Sequence, residues 1–117
     1  MDAVKYDKLL LAVVQGNDSE MLVKELNHAG FYVTILNSMG GFLKRRSVTL
    51  MAGLPAGRLD EALGIIKQRA GRRVEETYHN PAFITESFMD VATPVPMSVP
   101  CGGATVFVID MERMERY

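Results

Sequence analysis

Cysteine is almost absent from this 117-residue chain: Cys101 stands alone and closes no internal disulfide. The start, Met1-Asp2-Ala3-Val4-Lys5, is polar and charged and carries no secretory signal, so a reducing cytoplasm is the expected home. An excess of charge of either sign is missing too, since 13 basic residues face 14 acidic ones for a formal net charge of -1. That leaves no polyelectrolyte field to hold nucleic acid or an anionic membrane nonspecifically. No apolar run approaches the ~20 residues that span a bilayer, and the longest strong one, Leu9 to Val14, has strand length. What remains is 48% apolar and 23% charged residues, the mix of a soluble globular protein. A domain typically uses ~150 residues, so a single domain over 1–117 is expected. A chain of this size buries only about two thirds of its unfolded surface, which makes self-association an early expectation.

Leu9-Leu10-Leu11-Ala12-Val13-Val14 reads as a central strand, stopped by the turn and capping residues Gln15 to Ser19. From Ser19 the period changes, with Leu22, Leu26 and Ala29 on one stripe and Gly30 at the end, which predicts an amphipathic helix. Phe31 to Leu36 predicts a second strand, and Gly40-Gly41 a short hairpin into a third that reaches Gly53. Leu59, Ala62, Leu63, Ile66 and Ala70 follow helical spacing up to Gly71, and Arg72 to Tyr78 alternates as a half-exposed strand. Pro81, Pro94, Pro96 and Pro100 interrupt His79 to Cys101, which predicts a long flexible loop rather than a central strand. Gly102-Gly103 then opens a last strand, Ala104 to Ile109. The βαββαβ order predicts an α+β fold of the ferredoxin-like kind: an antiparallel sheet with two helices on one face. The opposite face needs cover, and another copy in a closed assembly supplies it most economically.

No catalytic constellation is visible, and no enzymatic activity is expected. A nucleophilic Cys101 needs a neighbouring base, and His28 and His79 offer no paired spacing for that or for a metal. Glu75 and Glu76 are adjacent on a strand and so point to opposite faces. Gly40-Gly41 and Gly102-Gly103 serve either tight turns or close approach of backbone amides to a phosphate, with Lys44, Arg45 and Arg46 near the first pair. Phe42 and Phe107 are either sheet packing residues or stacking platforms for a base.

Ala12-Val13-Val14-Gln15, Asp18-Ser19, Thr34, Leu36, Gly40-Gly41-Phe42-Leu43, Thr49 and Gly102-Gly103-Ala104-Thr105-Val106-Phe107-Val108 together resemble the PII-like cyclic di-AMP receptor family, from about Lys8 to the C-terminus. The resemblance implies a PII-like homotrimer with a nucleotide site in each cleft between subunits. It implies a signal receiver rather than an enzyme, one that regulates a protein partner through loop ordering; no cofactor or metal is expected, and the charge balance and short apolar runs already speak against nucleic acid and membrane insertion. The implied ligand is cyclic di-AMP or another nucleotide, and the implied ligand-binding residues are Thr34, Gly41, Phe42, Leu43, Ser47, Gly53, Phe107 and Arg116.

The chain departs from the family's polar readers. Where the pattern runs GGFLRAGNTT, this chain places Ser47 at the asparagine, and a hydroxyl lacks the paired donor and acceptor an amide shows a base edge. Tyr32 stands for an arginine common in the second strand, and Arg116 for a glutamine. Lys44, Arg45, Arg46 and Arg116 favour a ligand of greater negative charge. The alternative is a PII-like trimer with a different ligand or none, acting as a protein-interaction module.

Overall fold

Residues 4–36, 47–79 and 95–117 are described by the computed structural model, and they fall into two compact units. The first comprises residues up to Gly71 and from Gly102 onward; the second is Arg72–Cys101.

The first unit is built on β1 (Lys8–Gln15), which lies between β3 (Ser47–Leu54) and β6 (Ala104–Asp110), with β2 (Thr34–Ile35) beyond β3. All pairings are antiparallel, with Leu11 opposite Met51 on one side and Phe107 on the other. Burial alternates along β1 and β3, so Leu10, Ala12, Val14, Val48, Leu50, Ala52 and Leu54 point one way. They meet Leu22 and Leu26 of α1 (Gly16–His28) and Ala62, Ile66 and Ala70 of α2 (Leu59–Ala70), and this is the core. Two helices on one face of an antiparallel sheet is the ferredoxin-like arrangement that the sequence predicts.

The helices end and join as the local chemistry requires. At the end of α1 the Phe31 N–H donates to Leu26 O at 2.9 Å and the Gly30 N–H to Asn27 O at 3.0 Å, which satisfies two terminal carbonyls. Arg58 secures the same corner: its guanidinium lies 4.2 Å from the centre of the Phe31 ring, donates to Ala29 O at 2.7 Å and pairs with Glu61. At the end of the β1–β6 pairing Lys8 forms an ion pair with Asp110.

The second unit is a two-stranded antiparallel ribbon of β4 (Arg73–His79) and β5 (Val95–Cys101). This refines the sequence reading. The strand after α2 forms as expected but pairs with β5, and β6 takes the outer place beside β1 in the four-stranded sheet. It also corrects the expected loop at 79–101 in part, because Val95–Cys101 is a strand despite Pro96 and Pro100. A ribbon strand keeps one unpaired edge, where a missing proline N–H costs nothing. Residues 80–94 of that expected loop, and the expected turn at Gly40-Gly41, lie outside the described residues.

Candidate functional site

The sheet face turned away from the helices carries Leu9, Leu11, Val13, Thr49, Met51, Gly53, Thr105, Phe107 and Ile109, the alternate residues of β1, β3 and β6. Among the described residues of the first unit no helix covers it, and Phe107 is 51% and Ile109 45% exposed. After β6 the pairing with the start of β1 extends to Met111, whose N–H donates to Asp7 O at 2.9 Å, and the chain bends at Glu112. The segment that follows runs to the β3–β2 side of this face.

There it encloses a cavity of about 300 Å³, walled by Leu9, Tyr32, Thr34, Met51, Gly53 and the side chains of Met111, Met114 and Arg116. Two contacts define it. The Arg116 guanidinium lies 4.3 Å from the centre of the Tyr32 ring, a cation–π stack. Met114 lies against Gly53 so closely that a Cβ there would stand 2.8 Å from the Met114 sulfur and 3.5 Å from the Met111 methyl. The glycine is what lets the tail seat on the strand. The cavity thus joins an aromatic face, a guanidinium, Thr34 and an apolar floor, the groups that a base and an anionic group use, with the Glu115 carboxylate also at its wall.

Of the residues expected to bind ligand, Thr34, Gly53 and Arg116 come together in this cavity. Phe107 is on the same sheet face but three strands from Thr34 in the row Thr34, Met51, Leu11, Phe107, a separation of about 14 Å at ~4.8 Å per strand. Ser47 opens β3 six positions before Gly53, about 20 Å away along the strand at ~3.4 Å per residue, and is exposed. Gly41, Phe42 and Leu43, with Lys44, Arg45 and Arg46, lie outside the described residues. Met51, Met111 and Met114 were not anticipated as lining residues, since methionine reads by default as core filling.

Gly102 and Gly103 take φ of 79° and 119°, and the Gly103 N–H donates to Ala70 O at 2.8 Å. This second glycine pair is therefore used for a turn and for satisfying the end of α2. Among the described residues no group of three His, Cys, Asp or Glu side chains gathers as a metal site would need, and no helix is long and apolar enough to cross a membrane.

Residues 7–117 match the family model of the cyclic-di-AMP receptor. The chain belongs to the cyclic-di-AMP receptor family. Among solved structures it is similar to a functionally unknown protein from Pediococcus pentosaceus ATCC 25745, at 31% identity over 97% of this chain and 100% of that one, with a TM-score of 0.71. It also aligns with CPII, a nitrogen regulatory PII-like protein from Thiomonas intermedia K12 bound to ADP, AMP and bicarbonate. That match has 15% identity over 93% of this chain and 96% of that one, with a TM-score of 0.41. The cyclic-di-AMP receptor match spans β1 to the tail and includes the cavity walls from Leu9 to Arg116, though not Tyr6, which also lines it.

Proposed function

We propose that this protein is a PII-like signal receiver that binds cyclic di-AMP in clefts between the subunits of a homotrimer. The observation that carries the proposal is the cavity of Tyr32, Thr34, Gly53 and Arg116 opening on the sheet face turned away from α1 and α2, in a chain of the cyclic-di-AMP receptor family. That face presents apolar residues that a second copy would cover, and Phe107 and Ser47 lie on it outside the cavity, available to the cleft a neighbour completes. In this reading Tyr32 offers a stacking surface to a base, Thr34 a hydroxyl, and Arg116 a guanidinium to a phosphate. Gly41, Phe42 and Leu43 complete the binding shell. The protein acts as a receiver rather than a catalyst, working from the cytoplasm. Ligand binding shifts the population of a partner-binding state through residues 79–101, where Phe83, Ile84, Phe88, Met89 and Val91 supply apolar surface for a protein target.

Calorimetric titration with cyclic di-AMP, and with AMP, ATP and cyclic di-GMP as comparators at fixed salt, tests the proposal on protein whose mass in solution has been measured. Saturable binding of cyclic di-AMP near one per subunit, on a trimer, is expected. A folded trimer that binds none of the four nucleotides would instead be a scaffold whose ligand has changed or gone. A monomer would remove the intersubunit cleft.

A further inference from the structure

Within one chain the cavity measures about 300 Å³, the part of the proposed intersubunit site that this subunit supplies. The adjoining space is filled by the chain itself. Met111 is pinned by its hydrogen bond to Asp7 O, and Met114, three residues on, lays its sulfur on the backbone of Gly53. Residues 111–117 form neither helix nor strand, so among the described residues Met114 is held by side-chain contact rather than by a backbone ladder.

Each of these features suits a removable group. A methionine side chain is unbranched and polarizable, fits irregular gaps and leaves them easily. Met114 is only partly buried, and it occupies no position in the core between sheet and helices. Arg116 is two residues further on and stacks on Tyr32 at the rim of the same cavity.

We propose that Met114 is an internal plug of the cavity, displaced by the ligand. The proposal rests on the receptor reading above and adds the regulation of that site. In the free chain the cleft is part-filled by its own tail, and apparent affinity is lowered by the fraction of molecules in which the plug is seated. When the plug leaves, the cavity extends over Gly53, beside the Tyr32 ring and the Arg116 guanidinium.

The test labels the methionine methyl groups of the full chain with carbon-13 and follows them by NMR during titration with cyclic di-AMP. The chain has eight methionines, and single Met→Leu variants assign the signals. The Met114 methyl is expected to leave its packed position and sharpen into a solvent-exposed line as the ligand saturates, while that of Met21, exposed on α1, stays still. Met114→Ala is expected to bind about fivefold tighter, and Met114→Leu, which keeps the volume, to bind as the wild type does. Binding by Met114→Ala where the wild type binds nothing would support the plug more strongly. A wild type that saturates while the Met114 methyl stays still overturns the plug and leaves the receptor reading standing, as does Met114→Ala binding no tighter. Absence of binding in both forms, with the methyl spectrum of a folded protein, overturns the receptor reading and the plug with it.

Discussion

Replacing Gly53 by alanine separates the tail from the core, because its two energetic consequences are of similar size and opposite sign. Among the described residues positive φ is confined to Gly30, Gly102 and Gly103, so the backbone of Gly53 accepts an alanine without strain. Removing the glycine's freedom from the unfolded chain then stabilises by about 0.4–1 kcal/mol. Against this, the new methyl carbon would lie 2.8 Å from the Met114 sulfur, well inside an optimal contact of roughly 3.5–4 Å, so the sulfur retreats by about 1 Å. Fully burying a methionine is worth about 1.5–3 kcal/mol, and Met114 is only partly buried, so unseating it forfeits about 1 kcal/mol. The balance predicts an unfolding free energy within about 1 kcal/mol of the wild type in urea, at fixed protein concentration and with an unchanged slope. The Met114 methyl resonance nevertheless moves. With Met114→Ala as background only the favourable part remains, and the added Gly53→Ala stabilises by about 0.4–1 kcal/mol. A loss above about 3 kcal/mol in Gly53→Ala would mean that backbone rather than a flexible side chain meets the methyl group, and a Met114 signal that does not move would mean that the two are not in contact; either refutes the packing described.

Leu50 is 2% exposed at the centre of β3, paired with Ala12 and Ile35, so Leu50→Ala leaves a cavity between sheet and helices. It is expected to lower stability by about 2–5 kcal/mol in denaturant titration, and a loss below about 1 kcal/mol would contradict its place in the core. Arg58→Ala removes the stack on Phe31 and the bond to Ala29 O, for an expected loss of about 1–2 kcal/mol; Arg58→Lys should recover less than half, since an ammonium lacks the guanidinium fork, and full recovery would count against that geometry. The hydrogen bond from Lys8, and then its charge, hold the Asp110 carboxyl below its ordinary value of 3.8, and the same pair, with a minor contribution from Asp7, holds the Lys8 ammonium above 10.5. The Asp110 contribution is therefore complete above its ordinary value and lost as pH falls through its lowered folded value, whereas that of Lys8 is complete below 10.5 and lost as pH rises through its raised one. Asp110→Asn should accordingly flatten the acid side of the stability profile at low salt, and acid sides of equal steepness would show that the pair is not formed in solution.

The helices were legible because their signals are local. The stripe of Leu59, Ala62, Leu63, Ile66 and Ala70 gives α2 with its bounds, and Gly71 follows its end. The start of α1 was displaced, since it begins at Gly16 rather than Ser19 and its N-cap, Gln15, makes no side-chain capping bond, leaving nothing in the local chemistry to mark it. Strand partners were harder to read. Arg72 to Tyr78 alternates as a strand must, but alternation says which residues share a face and not which strand lies alongside. The choice between that segment and Ala104–Asp110 for the place beside β1 rests on contacts across nearly the whole chain, which no short window contains.

The site divides along the same line. Thr34 and Arg116 were named through resemblance, and their meeting in one cavity depends on where the chain goes after Asp110, a segment with neither period nor regular hydrogen bonding to announce its path. Gly53 is likewise known only through the resemblance, as a ligand contact; β3 continues past it to Leu54, and what approaches this interior glycine in the chain itself is the Met114 side chain. On the proposed receptor reading, a nucleotide laid against the β3 backbone at Gly53 would compete with the Met114 thioether, because one position cannot hold both, and affinity would then depend on residues 111–117 as much as on the sheet.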